Sequence, residues 1–100
     1  MPEMTFSVRW PDGRVEDCYS PSLVVHDFLD VGTSYSVADF AHRSATALAI
    51  ASDRVREKFG FACTSAAATT EQVRRSAASY APDALVEVLA LHPPLPKEIP

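Results

Sequence analysis

Apolar and polar side chains alternate near the start of the chain, with Phe6, Val8 and Trp10 on one side and Thr5, Ser7 and Arg9 on the other. A period of two predicts a half-buried β-strand. Pro11-Asp12-Gly13 then supplies a preset φ, a side chain able to bond nearby amides and a residue free to take positive φ, which predicts a tight turn. The return strand through residues 14–19 alternates less cleanly: Val15, Asp17 and Tyr19 share one face and Arg14, Glu16 and Cys18 the other, and the pattern leaves the inward face open. Ser20-Pro21 suits the opening of a short helix, as N-cap and first helical residue, with Leu23, Val24 and Phe28 on its apolar side. An extended reading of 23–28 accommodates the same residues, and Gly32 ends the segment in either case.

The period changes at Ser36. Ser36 and Asp39 have the spacing of a capping box, and Val37, Phe40, Ala41, Ser44, Leu48, Ala51, Val55 and Phe59 recur at helical spacing, predicting a helix over 37–59. Gly60 suits its C-terminal cap, and Arg54, Arg56 and Lys58 lie where the macrodipole favours cations. Residues 61–68 read as a connection rich in small and hydroxyl side chains. Thr69 with Gln72 resembles a second capping box, and Val73, Ala77 and Tyr80 continue a helix of about eleven residues toward Pro82. Alternation returns over 84–91, where Val86, Val88 and Ala90 interleave with Leu85, Glu87 and Leu89 as a third strand. The order β-β-(short α)-α-α-β predicts a small α+β domain over 1–91: an antiparallel three-stranded sheet, formed by the hairpin and the C-terminal strand, with two main helices on one face. The Pro-rich residues 92–100 are expected to form a flexible tail.

Composition narrows the functional classes. A 100-residue chain that is 47% hydrophobic supports one core, with no room for two domains around a deep cofactor cleft, and this size makes a homo-oligomer, most simply a dimer, the expected assembly. A net charge of −4 is the wrong sign for wrapping nucleic acid or coating an anionic membrane. The longest apolar runs, 23–25 and 47–51, are too short to span a bilayer, and the N-terminus lacks a basic region followed by an apolar stretch, so cytoplasmic residence is the expectation. Charge is uneven: residues 1–40 carry seven acidic and two basic side chains, residues 41–80 three acidic and six basic. A solvated helix face accounts for that bias as well as an anionic partner does.

Candidate chemistry is sparse. Cys18 and Cys63 lie outside any CxxC pair, so neither a zinc knuckle nor a redox dithiol is implied. Cys63 follows a helix end, comes after three cationic residues and precedes another helix, features that lower a thiol pKa where geometry allows. Burial beside Phe61 as a small hydrophobe is the competing reading. Thr64, Ser65, Thr69 and Thr70, with Arg74 or Arg75, have the composition of an anion pocket, and equally of helix capping. His26, His42 and His92 lack metal-ligand spacing, His26-Asp27 cannot act as adjacent members of a triad, and neither cofactor nor metal is expected.

Three stretches carry a family resemblance: Met4-Thr5-Phe6-Ser7-Val8-Arg9-Trp10-Pro11-Asp12-Gly13, Cys18-Tyr19-Ser20-Pro21-Ser22, and the run from Ala51-Ser52-Asp53-Arg54 through Gly60-Phe61-Ala62-Cys63-Thr64-Ser65-Ala66. Over residues 1 to about 90 the chain resembles a small bacterial family of nitrogen starvation response proteins. Members are encoded beside a nitrilase, a radical SAM protein, an acetyltransferase-like protein, an AIR-synthase-like protein and a flavoprotein, in clusters linked to nitrile or cyanide assimilation. The resemblance implies a place in that pathway with the cluster enzymes as partners, and it carries no catalytic residues. The matching positions Cys18, Tyr19, Ser20, Cys63, Thr64 and Ser65 are the candidate ligand-binding residues, since a thiol, hydroxyls and a phenol from the hairpin end and the helix connection would form a site if they converged. The expectation is a non-enzymatic accessory or ligand-binding protein. A small thiol-dependent enzyme or carrier using Cys63 is the alternative, with Arg54, Arg74 or Tyr19 assisting, and a transcriptional or post-translational regulator is the third reading.

Overall fold

The computed structural model describes residues 3–60 and 64–94. The hairpin forms where the alternation places it, as β1 (Met4–Arg9) and β2 (Val15–Ser20) paired antiparallel with Phe6 opposite Cys18. Its turn closes through Trp10 N to Arg14 O and Gly13 N to Trp10 O, both 2.8 Å, with Gly13 at φ 92°, where a Cβ would be strained. The inward face of β2, open in the sequence, is the one that carries Glu16, Cys18 and Ser20, while Val15 and Asp17 face solvent. A carboxylate is turned inward because it finds partners there, described below.

The sheet has four strands, not the expected three, in the order β2-β1-β4-β3. The added strand β3 (Ser34–Ser36) is three residues long, too short for a periodicity to register, and pairs antiparallel with β4 (Leu85–His92). β4 is central, pairing with β1 on its other side with a register shift between Ser7 and Val8. The residues expected to open a short α-helix form instead a 3-10 helix, Leu23–Asp27, capped by Ser22 and not Ser20: the Ser22 hydroxyl accepts from Val24 N.

Helix α1 (Val37–Phe59) has the predicted bounds. Ser36 Oγ accepts from Asp39 N at 3.1 Å, and the first amides are held by the chain leading into β4: Val37 N donates to Ala84 O and Ala38 N to Pro82 O. Gly60 ends it in the left-handed conformation at φ 81°. Its buried side is Val37, Phe40, Ser44, Ala47, Leu48, Ala51 and Val55, whereas Phe59 is 52% exposed.

Helix α2 (Thr64–Ala77) begins five residues before the expected cap at Thr69. Thr69 is buried inside the helix, its hydroxyl donating to Ser65 O, and Thr70 does likewise to Ala66 O. Ala66-Ala67-Ala68 are strong helix formers, so the turn before Thr69 is helical and not connecting. Both helices lie on one face of the sheet, giving a two-layer α+β domain of 38 × 38 × 17 Å. Met4, Phe6, Val8 and Trp10 of the β1 segment meet Val86, Val88 and Leu91 of β4 and the inner side of α1 in one core. The predicted tail residues 95–100 lie outside the described residues.

Candidate functional site

The most heavily bonded side chain is Glu16, which is 12% exposed. One carboxylate oxygen, Oε1, accepts from Trp10 Nε1 at 2.9 Å and Ser76 Oγ at 2.7 Å, and lies 3.1 Å from the Arg14 guanidinium. The other accepts from Gln72 Nε2 at 2.6 Å. Burial alone would raise the pKa of this group; the hydrogen bonds from Ser76, Gln72 and Trp10 and the charge of Arg14 outweigh it and hold the carboxyl below its ordinary range. Trp10 completes the node, its indole stacked on Tyr80 at 5.4 Å and edge-on to Phe40 at 5.4 Å. The hairpin, α1 and the end of α2 are thus joined around an ionised carboxylate whose acceptor capacity is filled from within the chain.

Cys18 follows on the same strand face and is buried. Burial pushes its thiol up to about 12, the nearby Glu16 and Asp17 carboxylates push the same way, and Arg14 opposes them weakly. Gln72 Nε2, which also donates to Asp17 O at 3.0 Å, lies 3.9 Å from the sulfur. This is the environment of an inert thiol.

The other candidate residues are distributed by strand geometry. Ser20 is fully buried on the face of Cys18, donating to Ser22 O at 2.8 Å and accepting from Ser22 N. Tyr19 lies between them in sequence and therefore on the opposite face, where its phenol donates to Glu3 Oε2 at 2.9 Å. Cys18 and Ser20 are brought together, and Tyr19 is separated from both. Arg54 reaches Ser22 Oγ at 3.3 Å, tying α1 to the end of β2. Thr64 and Ser65 are exposed in the first turn of α2, and Cys63 lies outside the described residues. His26 donates from Nε2 to Pro93 O at 2.9 Å. Among the described residues no group of three His, Cys, Asp or Glu side chains could hold a metal ion, and no helix is long and apolar enough to cross a membrane.

Two outward concavities lie between the helices. One of about 140 Å³ is lined by Ala41, Ala45, Thr70, Val73, Arg74 and Ala77. A second of about 320 Å³ continues from it through Ala45 and Thr70 to Ala49, Ser52, Ala66 and Glu71. Neither is lined by Cys18, Tyr19, Ser20, Thr64 or Ser65. Small side chains at 41, 45 and 49, four residues apart on α1, leave this strip unfilled. At its lip Arg74 pairs with Glu71, whose single carboxylate Arg75 also approaches at 3.8 Å from outside the lining, leaving a surplus of positive charge.

Sequence reasoning singled out the thiols and hydroxyls and passed over Glu16, Gln72 and Ser76 as a group. A signal was present: Gln72 and Ser76 stand four apart on one face of α2, positioned to answer a carboxylate on an otherwise inward strand face.

The fold and its internal carboxylate node define a small two-layer α+β protein whose characteristic polar residues are occupied in joining hairpin to helix. The family model for the nitrogen starvation-induced protein NitG matches residues 5–91, and the chain belongs to this family. No curated protein and no solved structure matches it.

Proposed function

We propose that this nitrogen starvation-induced protein is a non-enzymatic accessory of a nitrile or cyanide assimilation pathway, binding an enzyme of the nitrilase-containing cluster through the groove between α1 and α2. The observation that carries the reading is the division of the molecule's chemistry. The carboxylate and thiol nearest the family's hairpin motif are consumed internally, Glu16 by four partners and Cys18 by a burial that holds its pKa at about 12. Between the helices the molecule presents an apolar groove with a cationic lip, the complement of an apolar protein surface bearing a carboxylate.

Titration of each purified cluster enzyme against the labelled protein tests this. Saturable binding to one of them, lost in Ala45→Arg and Ala49→Arg, is the expected result. Absence of binding to every cluster enzyme, or nitrile turnover by the protein alone that depends on Cys63, overturns the reading and favours the thiol-enzyme alternative.

A further inference from the structure

The helices cover one side of the sheet and nothing in the described chain covers the other. That outer face carries two of the four most exposed large hydrophobic side chains, Val15 at 54% and Leu85 at 61%. Several of its polar groups are paired across the strands: Arg9 with Glu87 at 3.2 Å, Ser7 with Asp17 at 2.6 Å, and Tyr19 with Glu3. Pairs already made within the face persist when it is covered, which lowers the penalty for burying it.

We infer that two copies of this chain pack through these outer faces to form a dimeric β-sandwich. Arg9 on β1 and Glu87 on β4 stand side by side on the two central strands, astride the midline of the β2-β1-β4-β3 sheet. A two-fold axis along that midline lays each Arg9 over Glu87 of the second copy, turning one ion pair into a four-charge alternating cluster, and keeps the strands of the two sheets nearly aligned. It sets Val15 over Ser34 of the second copy, since Val15, Arg9, Glu87 and Ser34 form one row. Asp17 falls past the end of the three-residue β3 of the second copy. Strands of six, six, eight and three residues, about 4.8 Å apart at about 3.3 Å per residue, give a face of roughly 360 Å² in projection. Side-chain relief raises the accessible area above that projection, which places the interface at the small end of specific ones. This assembly leaves the groove between the helices open and stands apart from the reading of that groove.

Sedimentation velocity on the full chain decides it. Wild type is expected to sediment at twice 10.9 kDa. Arg9→Glu and Glu87→Arg alter side chains that are 51% and 42% exposed, so each variant keeps its fold, checked by near-UV dichroism. Each alone places like charges together, is expected to weaken association at least about tenfold and to sediment as a monomer. An equimolar mixture of the two variants restores the dimer, because an acidic face then meets a basic one. Leu85→Lys is a second disrupting variant that leaves the ion pair untouched. A monomeric wild type at the highest soluble concentration, a dimer indifferent to all three substitutions, or a mixture that stays monomeric overturns the inference.

Discussion

Replacing Glu16 by glutamine keeps the side chain's size and removes its charge, which isolates the node joining the hairpin to α2. In one amide orientation the new side chain still accepts from Trp10 and Ser76 but presents its NH2 to the NH2 of Gln72, and the 2.6 Å hydrogen bond is lost to a contact between two donors. The opposite orientation loses the Trp10 and Ser76 bonds instead. A hydrogen bond to a charged acceptor contributes about 1.5–3 kcal/mol. The half-exposed Arg14 adds little to this, being screened by solvent. The expected loss is therefore about 2–3 kcal/mol at neutral pH, which for a chain of this size lowers Tm by roughly 10–20 °C.

The assay is urea denaturation followed by the fluorescence of Trp10, the only tryptophan, at neutral and acidic pH. In the folded protein the Glu16 pKa lies below its unfolded value of about 4.3. Its contribution is therefore fully present above that pH and is lost as pH falls through the lowered folded value. Wild type and Glu16→Gln should differ at pH 7 and converge on acidification. A gap under about 0.5 kcal/mol at neutral pH, too small for a charged hydrogen bond, or a gap that persists in acid, would refute the assignment of the node.

Three further outcomes follow from other parts of the structure. In a Cys63→Ser background, alkylation of Cys18 at pH 8 should track global unfolding, because burial holds the thiol at about 12; rapid modification of the native protein would contradict that environment. Ser44→Ala should leave Tm unchanged or raise it, since Ser44 Oγ is buried without a partner and alanine is the better helix former; a loss above about 1 kcal/mol would show that the hydroxyl has a stabilising role. Ser36→Ala should cost about 1 kcal/mol through loss of the cap on Asp39 N, read by thermal denaturation, whereas Ser20→Ala should leave the cap of the 3-10 helix intact because Ser22 provides it.

The parts of the fold legible in the sequence were those with many repeats of one period. Helix α1 presents its apolar side through six turns between a serine cap and a glycine, and both ends lie where the pattern sets them. β1 alternates cleanly because one face is wholly apolar. Strand β3, with three residues, has no period to read, and its existence depends on β4, about fifty positions away. The start of α2 was obscured because Thr64 and Ser65 resemble linker residues, while its stability comes from the alanines after them and from packing on β2. The polar node was illegible for a related reason. Nothing local distinguishes a glutamate that faces water from one that meets a tryptophan, a glutamine and a serine drawn from six to sixty positions away. The family's hairpin motif was read as chemistry, yet Ser20 and Ser22 serve the backbone of the turn and Cys18 the core.

The position of β4 bears on how the chain comes to fold at all. The strand at the centre of the sheet is the last described element to be synthesised, and its partners β1 and β3 lie at sequence separations of more than seventy and about fifty residues. Until it leaves the ribosome the hairpin has one bare edge, β3 has nothing to pair with, and the first amides of α1 lack the carbonyls of Pro82 and Ala84. Folding of this domain therefore waits for β4, as expected of a topology rich in distant contacts. A nascent chain stalled before residue 85 would present unpaired strands to chaperones and proteases.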